Sequence, residues 1–181
     1  MKRNLLLIVL ALQCAWMLGT VAVQEYQRVR GEIVLLETRP VDPRDMLRGD
    51  YVILSYAISR VPQSLLQPAS TNSVPLDEKV YVLLEKRGQF HEAVSVSLEQ
   101  PRIKPGQQLI CGTTQYGWIP SGSNAVINIR YGLERYYVPE GTGNPRGKLT
   151  VEAVLSKSGR ASIKEVFIDG RPYRDVMRDG K

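Results

Sequence analysis

Residues 149–168 read LTVEAVLSKSGRASIKEVFI, an apolar-rich run from Leu149 to Leu155, a polar turn Lys157-Ser158-Gly159-Arg160, and a second run from Ala161 to Ile168. Leu149, Val151, Ala153 and Leu155 stand two residues apart, which in an extended chain places all four on one face. Gly159 falls where a tight turn needs a positive φ, so the stretch predicts a β-hairpin. The same grammar recurs from Val80 to Leu98, where Lys86-Arg87-Gly88-Gln89 separates Val80–Glu85 from Phe90–Leu98. Further out, Glu32–Thr38, Tyr51–Ser59, Gln108–Thr113 and Ala125–Tyr131 are short runs rich in Val, Ile, Leu and Tyr between Gly or Pro. Eight such strands with no long helical stripe among them predict an all-β fold, a single compact β-sandwich or open β-barrel-like domain. Pro62 to Pro75, PQSLLQPASTNSVP, predicts a long exposed loop.

The N-terminus follows another pattern. Leu5 to Val23, LLLIVLALQCAWMLGTVAV, has no charged side chain. As a helix it would extend roughly 28 Å, about the hydrocarbon thickness of a bilayer. The expected organisation is an N-terminal transmembrane helix at 1–23, a juxtamembrane linker at 24–30, a β domain at 31–175 and a tail at 176–181. Lys2 and Arg3 would hold the N-terminus on the cytoplasmic side, leaving a single-pass protein with its domain exported. A cleaved secretory signal or a lipoprotein signal has a similar outline. However, the Thr20-Val21-Ala22 site is weak, and Cys14 follows Gln13 inside the run.

Beyond Val23 there are 22 Lys and Arg against 18 Asp and Glu, spread along the chain and densest at Arg28/Arg30 and Lys86/Arg87. No basic stripe suggests nucleic acid as a partner. Arg28 and Arg30 read as solvated juxtamembrane charges or as contacts to anionic lipid. Cys14 and Cys111 lie on opposite sides of the partition and cannot pair; Cys111, after Leu109 and Ile110, is expected to be a buried small hydrophobe. His91, the only histidine, is expected on a solvated strand position and supplies neither a Ser-His-Asp site nor a zinc set. A calcium site could draw only on carboxylates, Asp50, Glu134 and Glu140. No cofactor is expected.

The most unusual segment is Arg39 to Ser59, RPVDPRDMLRGDYVILSYAIS. Pro40 and Pro43 stiffen it, and Gly49-Asp50 makes a turn before a strand. There Val52, Leu54, Tyr56 and Ile58 would face one side, and Tyr51, Ile53, Ser55 and Ala57 the other. Both sides are largely apolar, which predicts a central strand. Gly49-Asp50-Tyr51-x-x-Leu54-x-Tyr56 resembles, at every defined position, the motif that names the GDYXXLXY family of bacterial proteins. Tyr131 to Gly143, YGLERYYVPEGTG, resembles that family's second block, and the Ile163–Gly170 stretch follows as it does there.

The resemblance implies a membrane-anchored bacterial protein without an assigned activity, often accompanied by multispanning membrane proteins; with the N-terminus cytoplasmic, the anchor is expected in the inner membrane and the domain in the periplasm. It implies no catalytic residue. The type I signal peptidases are also anchored, exported and β-rich, but their Ser nucleophile has no counterpart here: Arg39 to Leu54 holds no Ser, Thr or Cys, and Thr38 and Ser55 just outside it do not stand where that nucleophile would. Arg48-Gly49-Asp50 reads as a turn rather than an adhesion signal.

Arg48, Asp50, Tyr51, Tyr56, Glu134, Arg135 and Glu140 are therefore the candidate binding residues. If their strands are neighbours they form one charged, aromatic cluster suited to an interface or a ligand groove. Two functions are expected from them. One is a non-enzymatic module working with an integral membrane partner; the other is a domain that binds or processes an envelope small molecule or polymer. In the bland alternative the same side chains cap turns, pair locally and fill the core.

Overall fold

The uncharged N-terminal run winds into an α-helix, α1 (Lys2–Val29), in the computed structural model of the chain, which describes residues 2–29, 31–39, 51–67, 75–115, 125–138 and 147–179. Every side chain from Leu6 to Ala22 is exposed, including Trp16, Leu18 and Leu12. Among the described residues, no helix is long and apolar enough to cross a membrane.

The remainder is mostly β-sheet: β1 (Glu32–Arg39), β2 (Tyr51–Ile53), β3 (Ser55–Tyr56), β4 (Arg60–Pro62), β5 (Leu66–Gln67), β6 (Lys79–Arg87), β7 (Phe90–Ser97), β8 (Gln107–Thr114), β9 (Val126–Arg130), β10 (Arg135–Tyr137), β11 (Leu149–Leu155), β12 (Ala161–Ile168) and β13 (Arg171–Pro172), followed by a short helix α2 (Tyr173–Asp179). Five strands form one sheet in the order β13-β12-β11-β1-β3, six form another in the order β4-β9-β8-β6-β7-β5, and β10 pairs with β2 in a ribbon of two. Among the described residues none of the sheets closes into a barrel. Val34, Leu36, Val151 and Ala153 from the first sheet and Val80, Val82 and Ile110 from the second belong to one buried cluster.

Both hairpins form where the alternation and the turn glycines place them. β11 pairs antiparallel with β12 and β6 with β7, and Gly159 and Gly88 adopt φ of 80° and 64°. Each hairpin also contains an irregularity, at Glu152/Ala153 and at Leu83/Leu84. The extra residues are Lys164 in β12 and Val94 in β7, each shifting the period-2 phase of its own strand by one residue, whereas β6 keeps an unbroken register with β8.

Four sequence expectations need correction. Tyr51–Ser59 is not one central strand but β2, β3 and a 3-10 turn at Ala57–Ser59. The chain changes partner midway, from β10 to β1, while the extended backbone keeps its alternation. Val52, Leu54 and Tyr56 are accordingly buried, and Ile58 is buried from within the 3-10 turn. Pro62–Pro75 is not all exposed loop: Leu66 is buried, and its strand β5 runs parallel to β7. Its two leucines outweigh the loop-like flanks; positions 68–74 lie outside the described residues. Cys111 is half-buried rather than buried, because the β11–β12 turn covers only part of it. Its Sγ–H donates to Ser158 O at 3.3 Å, and burial pushes the thiol pKa up against the opposing effect of Lys79.

His91 is the fourth. It is 8% exposed rather than solvated, because β3 pairs only with Thr38 and Arg39 of β1 and leaves the edge at Leu35 without a strand. The His91 ring fills that gap, its Nδ1 accepting the Leu35 N–H at 3.1 Å. Burial lowers the imidazole pKa below its ordinary 6.5, the Lys86 charge adds to this, and the Leu35 carbonyl opposes it. The neutral ring is thus the form the fold selects. Its stabilisation is fully present above pH 6.5 and is lost as pH falls through the depressed folded value. Urea midpoints measured at pH 7.5 and pH 5.5 should fall on acidification in the wild type. In His91→Gln, whose amide oxygen can take the same N–H without titrating, the fall should be smaller. An equal fall in both would remove His91 from the account.

Candidate functional site, the ribbon joining the two motif blocks

The two polar blocks are far apart in sequence and adjacent in space. Tyr51 stands opposite Tyr137, Val52 opposite Tyr136 and Ile53 opposite Arg135, and the ladder continues with Leu54 N–H donating to Glu134 O at 2.9 Å. On the buried side the blocks exchange side chains. The Tyr56 hydroxyl donates to Leu133 O at 2.7 Å, and the Tyr131 hydroxyl donates back to Ile58 O at 2.8 Å. Burial pushes both phenol pKa values far up, and the nearby Glu134 carboxylate adds to the shift. Both hydroxyls therefore stay protonated and act as permanent donors, which removes them as nucleophiles or bases.

Glu134 performs a local task. Its Oε1 accepts the Tyr131 N–H at 2.6 Å, closing a turn in which Gly132 holds a φ of 79°. Such a turn needs glycine because a Cβ disfavours the left-handed region.

On the outward side the same ribbon carries a row of different chemistry. The Arg135 guanidinium lies 5.2 Å from the centre of the Tyr51 ring, and Tyr51 and Tyr137 meet with centroids 5.9 Å apart and planes inclined at 59°. Arg135 and Tyr137 flank Tyr136 in β10, so period-2 geometry turns both away from it. Tyr136 instead meets Tyr173 of α2 edge-on at 5.5 Å. Tyr137 is left 71% exposed.

Four of the seven candidate residues, Tyr51, Tyr56, Glu134 and Arg135, are thus brought to this ribbon; Arg48, Asp50 and Glu140 lie outside the described residues. Tyr56 and Glu134 hold the ribbon together, whereas Tyr51 and Arg135 face outward. Tyr137 was missed in the sequence, although its spacing from Arg135 was the available signal. Among the described residues no group of three His, Cys, Asp or Glu side chains could hold a metal ion. Also missed was a cleft of about 430 Å³ lined by Phe90, Lys148, Thr150, Glu152, Phe167 and Asp169 among others. Its polar groups are largely engaged within the protein: Lys148 Nζ pairs with Glu37 at 2.7 Å, and Asp169 accepts the Lys148 backbone N–H at 2.9 Å.

A helix followed by a multi-sheet β domain, in which two distant blocks are tied by reciprocal tyrosine hydroxyls beneath an outward Arg–Tyr–Tyr row, defines a structural class without a catalytic constellation in its described ribbon. The chain belongs to the GDYXXLXY family, whose model, described as GDYXXLXY protein, matches residues 13–166. The match begins inside α1 and includes both blocks of the ribbon. No curated protein and no solved structure matches the chain.

Proposed function

We propose that this protein is a non-enzymatic docking module of the bacterial inner membrane. In this reading α1 is a single-pass anchor with its N-terminus in the cytoplasm. The β domain is a sandwich-type module in the periplasm, and the outward row Arg135–Tyr51–Tyr137 receives an integral membrane partner. The observation that carries it is the 71% exposure of Tyr137 beside Tyr51. Tyr51 is half-buried beneath it, and tyrosine and arginine side chains are the ones enriched where proteins bind one another.

The anchor is supported by the absence of charge from Leu5 to Val23 and by the exposure of every side chain from Leu6 to Ala22, a 17-residue stretch. That is the lower end of the roughly 17–25 residues a spanning helix uses. Confinement to one membrane raises the effective concentration of a partner, so a platform of three side chains suffices where a free domain would need more.

The Arg135→Ala/Tyr137→Ala double variant of the full-length protein tests this. Both residues lie outside the buried cluster, so stability should change by no more than about 1 kcal/mol, while the membrane protein that co-purifies with the wild type should be lost. Undiminished co-purification would overturn the proposal. The alternative, an envelope small-molecule or polymer site made of the motif's polar residues, is less well supported because Tyr56 and Glu134 are committed to backbone partners.

A further inference from the structure

The gap that His91 fills borders a cavity. β1 and β7 belong to different sheets with no ladder between them, and the Leu35 N–H to His91 Nδ1 bond joins them across the seam. The cavity there holds about 260 Å³, just under the roughly 300–1,000 Å³ of sites for drug-sized ligands. Its lining divides by chemistry: Ile58, Val61, Leu65 and Phe90 are apolar, whereas His91, Arg39 and Arg60 are donors of hydrogen bonds. Because Nδ1 accepts the Leu35 N–H, the neutral His91 ring carries its proton on Nε2 and donates from there.

Glu37 and Glu92 also line the cavity, but each is paired with a cation of its own, Glu37 with Lys148 at 2.7 Å and Glu92 with Arg87 at 3.7 Å. Neither Arg39 nor Arg60 makes an ion pair or a hydrogen bond through its side chain with a described residue. Opposite His91 in β6 stands Lys86, preceded by Glu85, which accepts from Gln107 Nε2 at 2.7 Å. Arg39, Arg60, Lys148, Arg87 and Lys86 thus face Glu37, Glu92 and Glu85, an excess of two positive charges. The next charges out, Asp169 with Arg171 and Glu152 with Lys164, cancel. Positions 40–50 lie outside the described residues and count on neither side.

Two guanidiniums in excess, a fixed imidazole N–H and an apolar surface beside them suit an oxyanion that carries an apolar group. A guanidinium forks onto two oxygens of a carboxylate or a phosphate. A phosphate monoester matches better than a carboxylate, because it brings about two negative charges at neutral pH and three terminal oxygens to three donor groups. We propose that this cavity binds an organic phosphate monoester, held by Arg39 and Arg60 with His91 Nε2–H as the third donor. The site is separate from the Arg135–Tyr51–Tyr137 row and does not rest on the docking reading.

The test follows the single histidine of the full-length protein by NMR in detergent micelles, with phenyl phosphate as the probe and phenol as its uncharged analogue. Phenyl phosphate should shift the His91 ring signal saturably and raise its titration midpoint, since a bound anion favours the imidazolium; phenol should do neither. The Arg39→Gln/Arg60→Gln variant changes two exposed side chains, so its near-ultraviolet circular dichroism should match the wild type's. Its affinity for phenyl phosphate should nevertheless fall about tenfold or more, as charge-assisted hydrogen bonds are lost, whereas Lys104→Gln should leave affinity unchanged. Micelles doped with phosphatidic acid form a second arm. A His91 shift in those alone would assign the phosphate to a lipid headgroup, and a shift with phenyl phosphate alone would assign it to a soluble ester. Equal responses to phenol and phenyl phosphate, undiminished binding by the double variant, or no shift in either arm would overturn the site.

Discussion

Replacing Tyr56 by alanine is expected to lower stability by about 3–5 kcal/mol, the range for emptying a large aromatic site in a packed core. Tyr56 is 0% exposed and stands where β1, the ribbon and the core cluster meet, so little can collapse into the space it leaves. Tyr56→Phe separates the two components of that loss. It keeps the ring and removes only the hydroxyl, leaving Leu133 O without its donor at a cost of about 1–3 kcal/mol. Tyr131→Phe should do the same to Ile58 O. Because the two hydroxyls tie the same pair of segments in opposite directions, the double Phe variant should depart from additivity by about 0.5 kcal/mol or more. Urea unfolding followed by near-ultraviolet circular dichroism reads all of these. A Tyr56→Phe midpoint equal to the wild type's would show that the hydroxyl bond does not hold the blocks together.

The second large effect concerns the two hairpin glycines, which have the same sequence rationale and different surroundings. Gly88→Ala places a Cβ in open space and should cost only the left-handed backbone penalty of about 1–2 kcal/mol. Gly159→Ala incurs the same penalty and also directs its Cβ to 2.6 Å from Cys111 Sγ and 3.2 Å from Cys111 N. Relieving that contact displaces the turn from β8 and weakens the Cys111 N–H to Gly159 O bond joining the two sheets. With overpacking added, the loss should reach about 3 kcal/mol or more. Thermal or urea unfolding of the two variants side by side decides the matter, and equal losses would contradict the packing assigned to the β11–β12 turn.

That contrast also shows what the sequence could and could not express. Positive φ at Gly88 and Gly159 was legible because turn chemistry is local. The contact between Gly159 and Cys111 was not, since it joins strands of two sheets 48 positions apart. The alternation placed Val52, Leu54, Tyr56 and Ile58 on one face, but with both faces largely apolar it told neither that this face alone is buried nor that the chain breaks at Leu54 to change partners. Periodicity reports backbone extension and is silent on pairing. His91 was misread for a related reason: its burial is set by the short β3, which leaves Leu35 N–H to find another acceptor. At the candidate site the two motif blocks could be recognised as special, and their residues sort into builders, Tyr56, Tyr131 and Glu134, and a presented row, Tyr51, Arg135 and Tyr137. Only the ribbon register makes that division.

The most direct test of the docking account is site-specific photocrosslinking in native membranes, with a photoreactive side chain in place of Tyr137 and, as a control, in place of the exposed Lys104. Docking through the Arg135–Tyr51–Tyr137 row requires an adduct with an integral membrane protein from position 137 and none from position 104. No adduct from position 137, or adducts of equal yield from both positions, would contradict it.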